Sequence, residues 1–207
     1  MKYLVFDFDG TIADTLPVVE ELGREILKKY TAETIDTELA RKIGLKRVIM
    51  KVKIPKWAVP KAFLELKQKL NQRIGTDVRL FPGMHEVLKE LASGYTLGIV
   101  SSNSGENVKL FLANNKITEL FRFIHCDSSI FGKHIVLKHL CKEYKMDPAD
   151  MVYIGDEDRD IQAAKKLKIP VIAVAWGYNA PELLTKEQPD YLIDSPDQIL
   201  DYFGLKN

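Results

Sequence analysis

Six short apolar runs recur along this chain, and stretches with helical spacing follow them. The runs are residues 2–8 (KYLVFDF), 95–100, 121–126, 151–154, 171–176 and 191–193. They are strand-sized, rich in β-branched and aromatic residues, and closed by turn-forming types. Helical spacing falls at 84–92, 105–114, 133–144, 158–167 and 198–203. A strand with one wet face alternates apolar and polar residues. These runs are apolar nearly throughout, so both faces of their sheet must be covered.

One stretch departs from this alternation. Residues 14–77 carry helical periods and no convincing strand. Val59, Phe63, Leu66, Leu70 and Ile74 form one amphipathic stripe, and Leu45, Val48, Ile49 and Val52 form a shorter one. Phe81-Pro82-Gly83 then makes a turn back to the alternating pattern. The expected fold is α/β, a Rossmann-like parallel sheet with helices on both faces and right-handed crossovers. Residues 1–13 and 80–207 would form this core, and 14–79 a small α-helical cap inserted after the first strand. A chain of 207 residues is long enough for one such domain with an insert.

Charge narrows the partners. The formal net charge is +1, which gives no global field toward nucleic acid or membrane. The longest apolar runs are strand-sized, too short to span a bilayer. Basic residues concentrate locally from Arg41 to Arg73, where Glu65 is the one acid. Read as a helix, Lys42, Lys46 and Lys53 share a face of that stretch. Its aromatics are Trp57 and Phe63, a poor stacking platform for bases. No nucleic-acid or membrane partner is therefore expected, and nothing in the sequence sets an oligomeric state. Cys126 and Cys141 are too few for a disulfide framework and fit no zinc spacing, so they read as core thiols of a cytoplasmic protein. The four histidines form no metal-like set either.

Four polar clusters sit where these strands end, at the edge where open α/β sheets bind ligands. Asp7-Phe8-Asp9-Gly10-Thr11 closes the first strand. Alternation puts Asp7 and Asp9 on one side, where two carboxylates repel unless a cation or a proton intervenes. Ser101-Ser102-Asn103 follows the second run and opens a helix, and hydroxyls with backbone N–H groups there suit a phosphate. Lys133 opens the next helix, where a cation opposes the helix dipole and calls for an anion nearby. Gly155-Asp156-Glu157-Asp158-Arg159-Asp160 ends the fourth run, with more acids than one helix cap uses. Taken singly, each cluster also reads as a cap, a turn or a solvated surface group. All four on one edge of one sheet is a different observation.

In this order the clusters resemble the motifs of the haloacid dehalogenase superfamily, in its phosphoglycolate-phosphatase-like branch. Asp7-Phe8-Asp9-Gly10-Thr11 is similar to the D-x-D-G-T motif, Ser101 to the second-motif hydroxyl, Lys133 to the third-motif lysine, and Gly155-Asp156 with Asp160 to G-D-x-x-x-D. The third motif often runs Lys-Pro, and here it is Lys133-His134. The resemblance covers the core, while 14–79 matches in position alone. It implies a magnesium-dependent phosphatase acting on a small phosphoester. Asp7 would be the nucleophile and Asp9 the acid and base. Thr11, Ser101, Ser102, Asn103 and Lys133 would bind phosphate, and Asp7, Asp9, Asp156 and Asp160 would hold the metal. Asp9 favours phosphoryl transfer over dehalogenation, since family dehalogenases lack that second acid. Open alternatives are a sugar phosphomutase, a phosphonate-cleaving enzyme with a reactive cap lysine, and a binding protein that kept the fold without turnover.

Overall fold

The structure is a computed structural model that describes residues 2–34, 36–44, 47–48, 54–126 and 132–205. Six strands form one parallel sheet: β1 (Tyr3–Phe6), β4 (Thr96–Val100), β5 (Phe121–His125), β6 (Met151–Gly155), β7 (Val171–Val174) and β8 (Tyr191–Ile193). Their order across the sheet is β5-β4-β1-β6-β7-β8. The chain first builds outward from β1 through β4 to β5. It then returns to the other side of β1 with β6. That reversal places the topological switch point at β1, so a crevice opens beyond the carboxyl ends of β1, β4 and β6.

Alternate residues of the central strands feed opposite cores. Leu4 and Phe6 of β1 join a cluster with Ile99 of β4 and Ile154 of β6. Helices α4 (Met84–Gly94) and α5 (Gly105–Asn114) cover that face with Leu88, Leu91, Val108 and Phe111. Val5 faces the other way, with Tyr153 and Ala173, under α6 (Lys133–Glu143) and α7 (Asp158–Lys166). The two apolar faces explain why the strand runs carry no polar alternation. Two short helices complete the layers, α8 (Pro181–Lys186) and α9 (Asp197–Tyr202).

The inserted segment leaves the sheet through β2 (Ala13–Asp14) and returns through β3 (Arg79–Leu80), which pair antiparallel. No strand was expected there. The pair is two residues long on each side, too short to print a period. The helix α8 was likewise not expected between 176 and 191; Leu183 and Leu184 bury it in six residues. Between β2 and β3 run α1 (Leu16–Leu27), α2 (Thr37–Ile43) and α3 (Ala58–Arg73). The stripe on α3 is buried at its C-terminal end, at Leu70 and just beyond the helix at Ile74, and opens toward Phe63, which is 51% exposed. Lys69 pairs with Glu25 at 2.7 Å, and Arg73 with Glu21 at 3.0 Å, so these basic residues face α1. Leu45, Lys46, Ile49, Val52 and Lys53 of the second stripe and basic face lie outside the described residues. Cys126 and Cys141 are half-buried against the two cores rather than within them.

Phe8 anchors the turn that carries both first-motif acids. Its side chain is fully buried and meets Phe111 of α5 edge to face, with centroids 5.1 Å apart. Phe8→Ala should destabilise the fold by about 3–5 kcal/mol, since it deletes a fully packed aromatic side chain. Urea unfolding followed by circular dichroism checks this; an unchanged midpoint would mean the turn is held elsewhere.

Candidate active site

Each sheet strand that borders the crevice delivers a polar group at its carboxyl end. Asp7 follows β1, and its backbone N–H donates to the Ile154 carbonyl at 2.8 Å, which continues the ladder one residue beyond the strand. Its Oδ1 accepts from the Phe8 N–H at 2.7 Å. Its Oδ2 lies 2.5 Å from Lys133 Nζ. The same Nζ reaches Asp160 Oδ1 at 2.5 Å. Lys133 is 2% exposed, so this ammonium is sealed between two carboxylates. Burial works against its charge, but Asp160 and Asp7 outweigh that and hold its pKa well above the ordinary lysine value. Lys138, one turn along α6, points to solvent.

Asp156 follows β6 and is fully buried. Thr11 Oγ1 donates to its Oδ1 at 2.8 Å, and the Tyr178 N–H donates to its Oδ2 at 2.7 Å. Asp160 Oδ2 accepts from the Glu157 N–H at 3.1 Å and closes a capping box at the start of α7. Carboxylate oxygens of Asp7, Asp156 and Asp160 all lie within 4.8 Å of one another. Glu157 is paired with Arg159.

Charge balance at this cluster tests whether a cation fits. Burial, with Asp160 adding repulsion, lifts the Asp7 carboxyl to about 7 even though Lys133 pulls the other way. Burial and then the Asp7 charge push Asp156 well above the carboxylate range. One buried ammonium cannot neutralise three buried acids, so negative charge is in surplus. Each oxygen of Asp156 has one donor and keeps a further lone pair. Hard oxygen donors, surplus negative charge and a compact spacing suit a divalent cation such as magnesium.

Asp9 lies apart from that cluster, on the β4 side. Asn103 Nδ2 donates to its Oδ1 at 3.0 Å and its Oδ2 at 3.1 Å. Burial raises the Asp9 pKa, and this donation partly opposes the shift. Ser101 is fully buried after β4, and its Oγ accepts from the Asn103 N–H at 3.0 Å. Ser102 is half-buried beside it. Thr11 gives its one hydroxyl proton to Asp156, and Asn103 directs its amide at Asp9.

Further groups complete the site. The turn after β7 packs directly on the first-motif loop. A Cβ on Gly177 would meet Asp156 Cβ at 2.3 Å and the Gly10 carbonyl at 2.4 Å, so only glycine allows the approach. Tyr178 reaches back with its hydroxyl 2.9 Å from Thr15 Oγ1, and Trp176 Nε1 donates to the Thr11 carbonyl at 3.2 Å. Burial, with Asp9 close by, keeps the Tyr178 phenol well above its ordinary pKa, so it stays neutral. In sequence, Trp176-Gly177-Tyr178 follows a strand, a position that suits either the rim of a site or the core. Asn71, on α3, carried no signal in the sequence.

Comparison with known proteins places this geometry. The family model for haloacid dehalogenase-like hydrolases matches residues 4–174. A phosphoglycolate phosphatase of Synechococcus elongatus is 29% identical over 97% of this chain and 96% of its own. Another, from Vibrio vulnificus, is 26% identical over 97% and 95%. A haloacid dehalogenase-like hydrolase structure from Streptococcus pneumoniae superposes with a TM-score of 0.84 at 23% identity, covering 98% of both chains, which carries the fold. With most of its length matched by the family model and its sheet order and crevice in place, this chain belongs to the haloacid dehalogenase-like hydrolases.

Proposed function

We propose that the chain hydrolyses a small phosphorylated metabolite, of the phosphoglycolate type, through an aspartyl-phosphate on Asp7. That it is a phosphatase follows from its family and from full-length relatives named as phosphoglycolate phosphatases. The observation that carries the Asp7 role is its setting. It is a buried carboxylate at the switch point, with one oxygen on a buried ammonium and the other on a backbone N–H. Residues 14–79 serve as a cap over the crevice, which excludes water when closed. The proposal keeps the cytoplasmic setting read from the sequence.

Asp7 Oδ attacks phosphorus in line, and the bond to the leaving alkoxide breaks. Asp9, protonated, gives its proton to that oxygen. A water then attacks the aspartyl-phosphate while Asp9, now a carboxylate, takes the water's proton. The phosphorus–Asp7 bond breaks, and inorganic phosphate and the starting carboxylate result. Lys133 and the second-motif groups Ser101 and Ser102 bind the phosphoryl oxygens, where charge lies in the transition state. Thr11 and Asn103 hold Asp156 and Asp9 in place. A magnesium ion on Asp7, the Asp9 carbonyl and Asp156, with Asp160 beside them, would offset the negative charge between nucleophile and phosphoester. The three clustered acids fit that role.

Asp7→Asn should abolish phosphate release, because the covalent route loses its nucleophile. Wild type quenched with labelled substrate should hold label that hydroxylamine removes, and the variant none. Residual turnover within about tenfold of wild type would sink the assignment.

Lys133→Ala should lower kcat by about 100-fold or more, since it deletes a preorganised charge at the reacting centre. Lys138→Ala should stay near wild type, because that side chain faces solvent. The reverse ranking would move the third motif to Lys138.

The metal assignment predicts linked protons. Asp7 titrates at about 7 in the folded state against an ordinary value of 3.8. Between those values the native state binds more protons than the unfolded state, so this contribution to stability falls as pH rises through the folded pKa. Metal-free protein should therefore lose stability from pH 5.5 to pH 8 by this term, about 1 to a few kcal/mol. Magnesium needs the ionised carboxylates, so adding it near pH 7 should release protons into a weakly buffered solution and flatten the stability profile. Saturating magnesium with no proton release and no change in melting would remove the site.

A further inference from the structure

A chain of three asparagines runs from α3 to Asp9. Asn71 lies on α3, Asn107 in the first turn of α5, and Asn103 just before that helix. The Asn107 Nδ2 group has two hydrogens. One goes to Asn71 Oδ1, and the other to Asn103 Oδ1 at 2.9 Å. The Ser104 N–H also donates to Asn103 Oδ1, at 2.8 Å. Both lone pairs of that oxygen are then occupied by donors. A flipped Asn103 amide would set its NH2 group against two donors, so the flipped state is excluded. Its Nδ2 must face Asp9, as found. Asn107 is 4% exposed and Asn103 6%, so little water competes for these groups.

We propose that Asn107 and Asn71 are positioning residues for proton transfer by Asp9. Asn107 locks the Asn103 amide that aims the Asp9 carboxyl, and Asn71 makes that lock strongest when α3 is docked on α5. The inference rests on the assignment of Asp9 as the group that protonates the leaving alkoxide. It adds that docking of the inserted segment and alignment of the acid are one event. Substrate would then meet an aligned acid only in the closed crevice. The geometry supports this because Asn71 is the sole member of the chain contributed by residues 14–79, and its part is purely that of an acceptor.

Leaving-group dependence tests it. An alkoxide needs a proton to depart, whereas p-nitrophenolate does not. The ratio of kcat/KM for an alkyl phosphate to kcat/KM for p-nitrophenyl phosphate therefore reports the acid, since kcat/KM ends at the first irreversible step. Asn107→Leu and Asn71→Leu should each lower this ratio by about tenfold, part of the full effect of a general acid. Asn71→Asp keeps the acceptor oxygen and should restore the wild-type ratio. Asp9→Asn should show the largest selective loss, and thermal melts confirm that each variant is folded. Equal losses on both substrates, or a ratio unmoved in both Leu variants, would overturn the relay while Asp9→Asn still marks the acid. An unselective Asp9→Asn, or a wild type inactive on every phosphoester, would overturn the assignment of Asp9 and the relay with it.

Discussion

A single buried ammonium holds this crevice together. Lys133 sits at the first position of α6, where the helix dipole disfavours a cation and, among the described residues, no side chain caps the helix. Burial disfavours it further. Both penalties are offset by Asp7 and Asp160, each 2.5 Å away. Those partners come from the end of β1 and the first turn of α7. One charge therefore ties three separate elements into a fixed arrangement at the switch point. Asp160 is bound from both sides, because its other oxygen caps the backbone of Glu157. Its rigidity is what allows Lys133 to lean on Asp7 without losing its place.

The same arrangement leaves charge unbalanced, and the imbalance has chemical value. Asp7 and Asp156 both resist ionisation because burial strips water from them and the neighbouring acids repel their charge. Stability alone would favour fewer carboxylates here. Strongly shifted acids gathered in a crevice are the pattern expected where charge must change during a reaction. The backbone has been fitted to keep them there. Gly10 and Gly177 let the turns after β1 and β7 close on Asp156, at separations that leave no room for a Cβ. Thr11 and Tyr178 then fix that carboxylate by one hydrogen bond on each oxygen. Each oxygen keeps a further lone pair, and the carboxylate cannot turn.

What the sequence made legible follows from which interactions are local. The central strands β4, β1, β6 and β7 and the helices after them could be read because both-face burial writes itself as apolar runs. The boundaries at 105–114 and 191–193 agree with α5 and β8 to the residue. The acids and Lys133 could be placed on one edge because strand ends repeat that geometry. The pairing of β2 with β3 left no pattern, since two residues have no period. On α3 the stripe was visible, but not that Phe63 would stay exposed while Leu70 and Ile74 went in. That depends on where α3 meets α1 and the sheet. The contacts of Thr11 with Asp156, and of Tyr178 with Thr15, join residues more than a hundred positions apart. Neither residue type nor spacing announces them.

The inserted segment is attached at more than its two strands. Its entry strand follows directly from the Asp7–Thr11 turn, and the Phe81 N–H donates to the Ile12 carbonyl at 3.2 Å as the chain returns. On one side, the Arg41 carbonyl of α2 accepts from the Ala180 N–H at 2.9 Å, two residues beyond Tyr178. On the other, Asn71 of α3 accepts from Asn107. Thr15, just before α1, meets the Tyr178 hydroxyl. The attachments through Thr15 and Arg41 end on the Tyr178–Ala180 turn, whose Tyr178 N–H also donates to Asp156, and the Asn71 attachment ends on Asn107, whose partner Asn103 donates to Asp9. A displacement of the segment thus strains the very loops that orient the acids, on both flanks of β1 at once. A rigid sheet supplies the fixed reference, because β1, β4 and β6 are buried on both faces and cannot follow. The loops beyond those strands are therefore shared between the insert and the acids.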